Sequence, residues 1–124
     1  MNDIKKLPDS ELEVMQAVWS IGDKAPRAEV ERIVQGNNDL AQTTILTLLS
    51  RLADKGFIKA EKEGRSSVYT PLVSREDYLA SQSRRFFDKL CGGNVSVFAS
   101  ALSDSGISRE DLAELKDLLE RGLI

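Results

Sequence analysis

The spacing of apolar residues predicts three helices in the first 56 positions of the chain. The first helix begins near Ser10, because Ser-Glu-Leu-Glu has the form of a capping box, and it ends at Gly22. The second begins at Pro26, since proline suits the first position of a helix. The third ends at Gly56, where glycine suits a left-handed C-cap. The predicted apolar stripes are Leu12, Met15, Val18 and Trp19, then Ala28, Val30, Ile33 and Val34, and finally Ile45, Leu48, Leu49 and Leu52.

After Gly56 the pattern changes from a helical to an alternating period. Residues 57–62 alternate as in a half-buried strand, Glu63-Gly64 predicts a turn, and residues 67–70 predict the returning strand. Pro71 closes that strand, because proline cannot donate a hydrogen bond to a β-ladder. A helix that carries threonines and is followed by a short charged hairpin is typical of a winged helix-turn-helix domain that binds DNA.

Three further helices are predicted after a domain boundary at about residues 71–75. They span about 75–90, about 95–102 and the residues that follow Ser108. Helices this short cannot enclose a core alone, and a second copy of the chain is the simplest surface to cover their apolar stripes. The alternative is a monomer in which these helices fold back on the first domain. The candidate dimerisation residues are Tyr78, Leu79, Phe86, Leu112, Leu115, Leu118 and Leu119.

The predicted fold is therefore mainly α with a small β-hairpin. It comprises a winged helix-turn-helix domain at residues 1–73 and a three-helix dimerisation domain at residues 74–124.

Charge and composition narrow the possible functions. The net charge of −3 counts against nucleic-acid binding unless the cations lie on one face. Residues 51–65 hold five Lys/Arg and three Asp/Glu, a local balance of +2 in an otherwise acidic chain, which allows a cationic face in this segment. The chain has no histidine, so a Ser/His/Asp triad and a Cys/His pair are both impossible, and it has no glycine-rich phosphate loop. We therefore expect a protein that is not an enzyme and has no catalytic residues, metal site or cofactor.

The sequence also indicates a cellular compartment. No apolar run approaches the roughly 20 residues of a membrane span, and the N-terminal residues lack a hydrophobic block. The single Cys91 cannot form an internal disulfide, which fits a reducing cytoplasm. We expect a cytoplasmic protein without membrane insertion. Cys91 itself has three interpretations: a small core residue, an intersubunit disulfide or a redox sensor.

If the apolar stripe of the third helix faces the core, its polar residues face outward. Glutamine there can pair bidentately with adenine, and threonine can bond to base edges or pack its methyl group on thymine. The arginine near the end of the helix favours phosphate, and the cations and small residues around the hairpin turn can approach a phosphate or a minor groove. The alternatives are a polar surface without a partner and a hairpin whose charges prevent aggregation. The candidate DNA-binding residues are Gln42, Thr43, Thr44, Thr47, Arg51, Lys62, Arg65 and Ser66.

Several stretches resemble the penicillinase and methicillin-resistance repressors, a family that also includes the copper-responsive CopY repressors. These stretches are LPDSELEVMQAVWS, TTILTLLSRLADKGFI, GRSSVYTPLVSREDY, SRRFFDKLCGGNVSVFASAL and DLAELKDLLE. The resemblance implies a winged-helix domain, a helical dimerisation domain and a homodimer that blocks transcription from a palindromic double-stranded operator. It also implies that Gln42, Thr43, Thr44, Thr47 and Arg51 face the DNA, with Arg65 at the wing.

The resemblance also implies derepression by proteolysis of the C-terminal domain, downstream of a membrane-bound sensor protease, but the cleaved bond does not carry over. In the resistance repressors, a membrane-bound sensor protease system leads to cleavage of an Asn-Phe bond in the short C-terminal helix. The aligned residues here are Ser100-Ala101, which do not match. The copper-responsive branch binds metal through a cysteine cluster, which this chain lacks.

The competing hypothesis for the function is a winged-helix adaptor that binds a protein partner instead of DNA. The affinity of such an adaptor for its partner would depend little on salt concentration.

Overall fold

The structure, a computed structural model, describes residues 4–124 of the chain. In chain order, its elements are α1 (Asp9–Ile21), β1 (Ala25–Pro26), α2 (Arg27–Asn37), α3 (Gln42–Asp54), β2 (Ile58–Glu63), β3 (Ser66–Pro71), α4 (Arg75–Arg85), a π-helical turn (Phe86–Leu90), α5 (Val95–Asp104) and α6 (Arg109–Glu120). The strands form one antiparallel sheet in the order β1-β3-β2. The prediction of a mainly α fold with a winged helix-turn-helix domain is confirmed.

The apolar stripe of α3 anchors that helix in the core. Each of its four predicted members, Ile45, Leu48, Leu49 and Leu52, is 3% exposed or less. They pack in one cluster with buried residues of α1, α2 and β2. The stripe of α1 is wider than predicted, because Val14 and Ala17 are also buried. In α2 the prediction fails at Ala28, which is exposed.

Two helices start at positions that differ from the prediction. α1 begins at Asp9 without a capping box, because Pro8 occupies the N-cap position and its carbonyl oxygen accepts the Leu12 amide at 2.9 Å. α2 begins one residue after Pro26, which instead pairs with Val68 across β1 and β3. Proline suits this edge strand, since it has no N–H group to leave unpaired. The sequence analysis missed β1 because two residues are too short to show a period.

α3 ends at Asp54, and Gly56 forms its left-handed C-terminal cap, as predicted. Gly56 has φ +80°, and its amide donates to the Ala53 carbonyl at 3.0 Å. The Phe57 amide donates to the Leu52 carbonyl at 2.9 Å, which completes a Schellman motif. Phe57 is 2% exposed, so the chain enters the core immediately after the glycine and then starts the hairpin. This helix end therefore sets the direction in which the wing leaves α3.

The hairpin of β2 and β3 closes with a two-residue turn. The last pair is Glu63 with Ser66, so the turn is Gly64-Arg65, one residue beyond the predicted position. Gly64 has φ +64° and no non-glycine residue in 4–124 has a positive φ, which is the pattern of a type II′ turn. Within β2 the one buried residue is Ile58. The prediction of a half-buried strand is therefore wrong, because the rest of β2 is exposed.

The chain forms two compact units, of which the first ends at Ser81 and the second spans Gln82–Ile124. The predicted first domain ends earlier, at Val73. That domain also includes residues 1–3, which lie outside the described residues. Within the described residues, no helix has the length and apolarity needed to cross a membrane.

Tyr78 accounts for the later end of the first unit. It is 5% exposed, and its hydroxyl oxygen accepts a hydrogen bond from the Leu7 amide at 2.9 Å. Its ring centroid lies 5.7 Å from that of Trp19 and 5.8 Å from that of Phe57. Tyr78 thus belongs to the core of the first unit, and its assignment to a dimerisation surface is wrong.

The second unit buries few side chains. Among its residues, Cys91 is buried, which supports its interpretation as a small core residue. The helix predicted over residues 75–90 is α-helical only to Arg85 and continues as the π-helical turn. The ring of Phe98 packs edge-on against two rings from that turn at centroid distances of 5.9 and 5.7 Å. Ser108 caps α6, as predicted, by accepting the amide of Asp111 at 3.0 Å.

Replacing Gly56 by Ala should lower the free energy of unfolding of the first unit by about 1–2 kcal/mol, because a side chain disfavours the left-handed conformation. Steric overlap does not contribute to this loss of stability, since a Cβ at position 56 would meet nothing within 4 Å. Urea unfolding followed by the fluorescence of Trp19, the single tryptophan, measures the change. Gly36→Ala is the control: Gly36 lies in α2 and should give a stabilisation of about 0.5 kcal/mol. Equal effects of the two substitutions would contradict the role of Gly56.

Candidate nucleic-acid interface

One face of α3 is polar and exposed. All five residues predicted for it, Gln42, Thr43, Thr44, Thr47 and Arg51, are exposed. Because a helix turns about 100° per residue, burial of the stripe centred on Leu48 and Leu49 directs Thr43 and Thr47 away from the core. Ser50 lies on the same outward face and is also exposed, although the sequence analysis did not select it. The helix therefore presents a continuous row of hydroxyl groups.

The hydroxyl group of Thr47 is already used as a donor. Its Oγ1 donates to the carbonyl oxygen of Thr43 at 3.0 Å, one helical turn back. Towards a partner, Thr47 can therefore offer the lone pairs of its oxygen and its methyl group. In a major groove these suit a cytosine or adenine amino group and a thymine methyl group.

The cations near the wing differ in whether they are paired with acids. Lys55 donates to Glu11, a carboxylate that is 3% exposed, and Lys59 lies 3.8 Å from Glu61. Within residues 4–124, Arg51, Lys62 and Arg65 take part in no ion pair. These three are the cations that the sequence analysis assigned to phosphate contact, and their charges are available to a polyanion.

Gln42 and three wing residues line one concave surface of about 250 Å³. The wing residues are Lys62, Arg65 and Ser66, so half of the predicted DNA-binding residues meet at this place. The other four lie further along the exposed face of α3. We call this concave surface the wing cleft; its remaining lining residues are Pro26, Arg27, Ala28, Glu31 and Ser67.

The α2 residues of the wing cleft were missed by sequence reasoning. Arg27 and Glu31 form an i,i+4 ion pair with Nε 3.1 Å from the carboxylate, a spacing that is visible in the sequence. Such pairs are common on helix surfaces, so the spacing alone did not indicate a site. The two charges also act on Tyr69 of β3: burial raises the pKa of Tyr69, the positive charge of Arg27 lowers it, and the negative charge of Glu31 raises it.

An ion pair ties the wing to the loop before β1. Lys24 Nζ donates to the Glu63 carboxylate at 2.9 Å, next to the Gly64-Arg65 turn. The hydrogen bond with Glu63, followed by the charge of that carboxylate, raises the pKa of Lys24. Both side chains are more than half exposed, and such pairs add little to stability.

Comparisons with known proteins identify relatives of this chain. A family model described as "Penicillinase repressor" matches residues 7–121. An uncharacterized 16.5 kDa protein of Latilactobacillus sakei is 36% identical over 115 residues, which cover 92% of this chain and 78% of that protein. The penicillinase repressor of Bacillus licheniformis is 33% identical over 121 residues, which cover 97% and 94%. A solution structure of monomeric Bacillus licheniformis BlaI in complex with the blaP half-operator matches with a TM-score of 0.53 and 37% identity, covering 63% of this chain and 94% of that chain.

Replacing Thr44 by Ala should reduce discrimination between a specific DNA site and random DNA by about 1–3 kcal/mol, the range for a contact to a base edge. Loss of folding is not expected, because alanine has the higher helix propensity. Titrations of fluorescent duplexes at one salt concentration measure the ratio of the two affinities. Thr44→Ser, which keeps the hydroxyl group, separates that group from the methyl. An unchanged ratio in Thr44→Ala would rule out base contact by this residue.

Replacing Arg65 by Ala should weaken binding to specific and random DNA by similar factors. It should also reduce the slope of log affinity against log salt by about 1, since one phosphate contact is lost. Binding isotherms at four or more salt concentrations give the slope. Arg109→Ala, which removes the same charge from an exposed position in the second unit, is the matched control and should leave the slope unchanged. The same slope in both variants would exclude a phosphate contact by Arg65.

Proposed function

The chain belongs to the penicillinase repressor family, whose members are DNA-binding transcriptional repressors and not enzymes, and we propose that it acts as a homodimer on a palindromic operator. The observation that carries the proposal is the exposed polar face of α3 beside a wing with two cations, Lys62 and Arg65, that form no ion pair within residues 4–124. The solved complex of the Bacillus licheniformis relative with a half-operator supports one winged-helix unit for each half-site.

In this proposal the N-terminal half of α3 enters the major groove. Gln42 and Thr43 are the first two residues of the helix, which is where recognition helices contact base edges. The last residue, Asp54, is exposed, and its negative charge disfavours close approach of phosphate at that end. Arg51, one turn earlier, contacts the sugar-phosphate backbone. Arg65 and Ser66 at the turn of the wing contact the adjacent backbone or the minor groove.

The apolar surface of the second unit supports dimerisation. Leu112, Leu115 and Leu118 of α6 are only half-buried, and Leu119 is 57% exposed. Apart from Cys91, the described residues of this unit include no buried apolar side chain. A symmetric partner would cover the leucines in a self-complementary interface. Leu79 and Phe86, which are 48% and 37% exposed, complete the proposed dimerisation residues.

A dimer with twofold symmetry predicts the symmetry of the operator and the spacing of its half-sites. Two half-sites related by inverted symmetry should lie about one helical turn apart, roughly 34–36 Å from centre to centre. Doubling the number of phosphate contacts also compensates for the small number of cations in each chain.

Because operator DNA is the proposed partner, we assign the protein to the cytoplasm.

Release from the operator does not use the family's scissile position in this proposal. Ser100-Ala101 lies inside α5, and these two residues differ from the Asn-Phe pair that is cleaved in the family. Derepression by proteolysis of the second unit would therefore need a bond other than Ser100-Ala101, and we expect this bond to remain intact.

Selection of duplexes from a random pool at a fixed salt concentration tests the function. The proposed repressor should enrich an inverted repeat, and its affinity for that repeat should fall steeply as salt rises. A winged-helix adaptor would enrich no sequence and show almost no salt slope. That second result would overturn the proposal.

Replacing Leu115 by Asp should convert the dimer to a monomer, because a carboxylate cannot be buried in an apolar interface without a partner. Sedimentation equilibrium over a range of concentrations measures the mass of the complex. Ala113→Asp introduces the same charge at an exposed position on the opposite side of α6 and should remain dimeric. If Leu115→Asp also remains dimeric, the leucines of α6 are not the interface.

A further inference from the structure

Glu31 connects α2 to the first residue of α3. One carboxylate oxygen accepts from Arg27 Nε at 3.1 Å, and the other accepts from Gln42 Nε2 at 3.2 Å. The side chain of Glu31 is 13% exposed, whereas Gln42 is exposed at the surface of the wing cleft. Glu31 is therefore a largely buried acceptor next to an exposed amide at the wing cleft.

The contact determines which way the Gln42 amide faces. An ionised carboxylate has no donor, so the group that meets it is the NH₂ of the glutamine and not its carbonyl oxygen. One N–H is used by Glu31, which leaves the second N–H and the carbonyl oxygen for another partner. The exposed part of Gln42 is thus one donor and one acceptor, side by side.

This pair of groups matches one base. In the major groove adenine presents N7 as an acceptor and its N6 amino group as a donor, which complement the free N–H and the carbonyl oxygen. Guanine presents two acceptors, N7 and O6, and would leave the carbonyl oxygen of Gln42 facing another acceptor. An amide that is free to rotate discriminates less, because it must be ordered during binding.

We propose that Glu31 is a specificity-determining positioning residue that holds the Gln42 amide in the orientation that pairs with adenine. The inference rests on the proposed function, since it requires α3 to lie in the major groove. Arg27 has the supporting role: its bond to the second oxygen of Glu31 fixes the carboxylate, and its charge offsets a negative group near the phosphates.

If Glu31 acted only through its negative charge, its removal would change DNA affinity in a different way. A carboxylate near DNA repels phosphate, so its removal should raise affinity for every sequence by the same factor. Positioning of Gln42 instead changes the ratio of affinities for operators that differ in one base. Glu29 separates the two effects, because it lies on the same helix and pairs with Arg32 at 2.8 Å without contacting Gln42.

The experiment uses the full chain and the sequence that it selects from a random pool. Gln42→Ala first identifies the adenine that this residue reads, as the position where the base preference disappears. Glu31→Gln and Glu29→Gln are then compared on duplexes that carry each of the four bases at that position. Both should raise the affinity for all four, but only Glu31→Gln should lower the preference for adenine, by about fivefold or more.

The expected loss follows from the number of oxygens that remain. Arg27 and Gln42 donate to different oxygens of Glu31. In the substituted amide the charged Arg27 retains the oxygen because it is the stronger donor, and an NH₂ group, which cannot accept, then faces the Gln42 nitrogen. Glu31→Ala, which removes both oxygens, should lose the preference to the same extent, and Trp19 fluorescence in urea verifies that each variant is folded. In the Gln42→Ala background, Glu31→Gln should change the affinity for all four duplexes by the same factor, because no amide is left to position.

The results distinguish failure of this inference from failure of the proposed function. If the wild-type chain selects no sequence, the proposed function fails. If it selects one, but Glu31→Gln retains the preference for adenine, the positioning role is wrong and the repressor function stands. The positioning role is also wrong if Gln42→Ala alters no base preference, or alters the preference for a base other than adenine.

Discussion

Burial of the apolar stripe of α3 is the constraint on which the rest of the structure depends. Leu48 and Leu49 have almost no exposed surface, so rotation of α3 about its axis would bring apolar area into water at about 25 cal/mol for each Å². This fixes which residues face outward, and the Schellman motif at Gly56 fixes where the hairpin begins. The proposed DNA-binding surface is thus a consequence of core packing, and its polar residues contribute little to holding α3 in place.

The charge distribution explains how an acidic chain can belong to a family of DNA-binding repressors. Of the cations at residues 51–65, Lys55 and Lys59 are paired with glutamates, which leaves three for phosphate. Affinity for random DNA should therefore be modest, since each released counterion depends on such a contact. With few phosphate contacts, base contacts make up a larger share of the binding free energy. This is the physical reason to expect that residues behind the interface, such as Glu31, tune the choice of bases.

The sequence predicted the elements whose side chains follow a regular period. This period identified the apolar stripe of α3, the cap of the helix at Gly56 and the hairpin. The exposed polar residues of α3 could then be deduced, because they lie opposite the stripe. The sequence did not predict β1 or the burial of Tyr78, because these depend on contacts between distant positions: Pro26 with Val68, and Leu7 with Tyr78. The bond between Glu31 and Gln42 was missed for the same reason, since neither residue indicates on its own that the turn between α2 and α3 brings them together.

The central claim is that the outer face of α3 and the tip of the wing lie against duplex DNA. Amide chemical-shift mapping of the isotope-labelled full chain, titrated with its selected duplex, tests this most directly. The account predicts that the largest changes fall between Gln42 and Arg51 and between Lys62 and Ser66, with small changes in the buried residues of α1. Changes confined to the second unit, or none in α3 at saturating DNA, would contradict it.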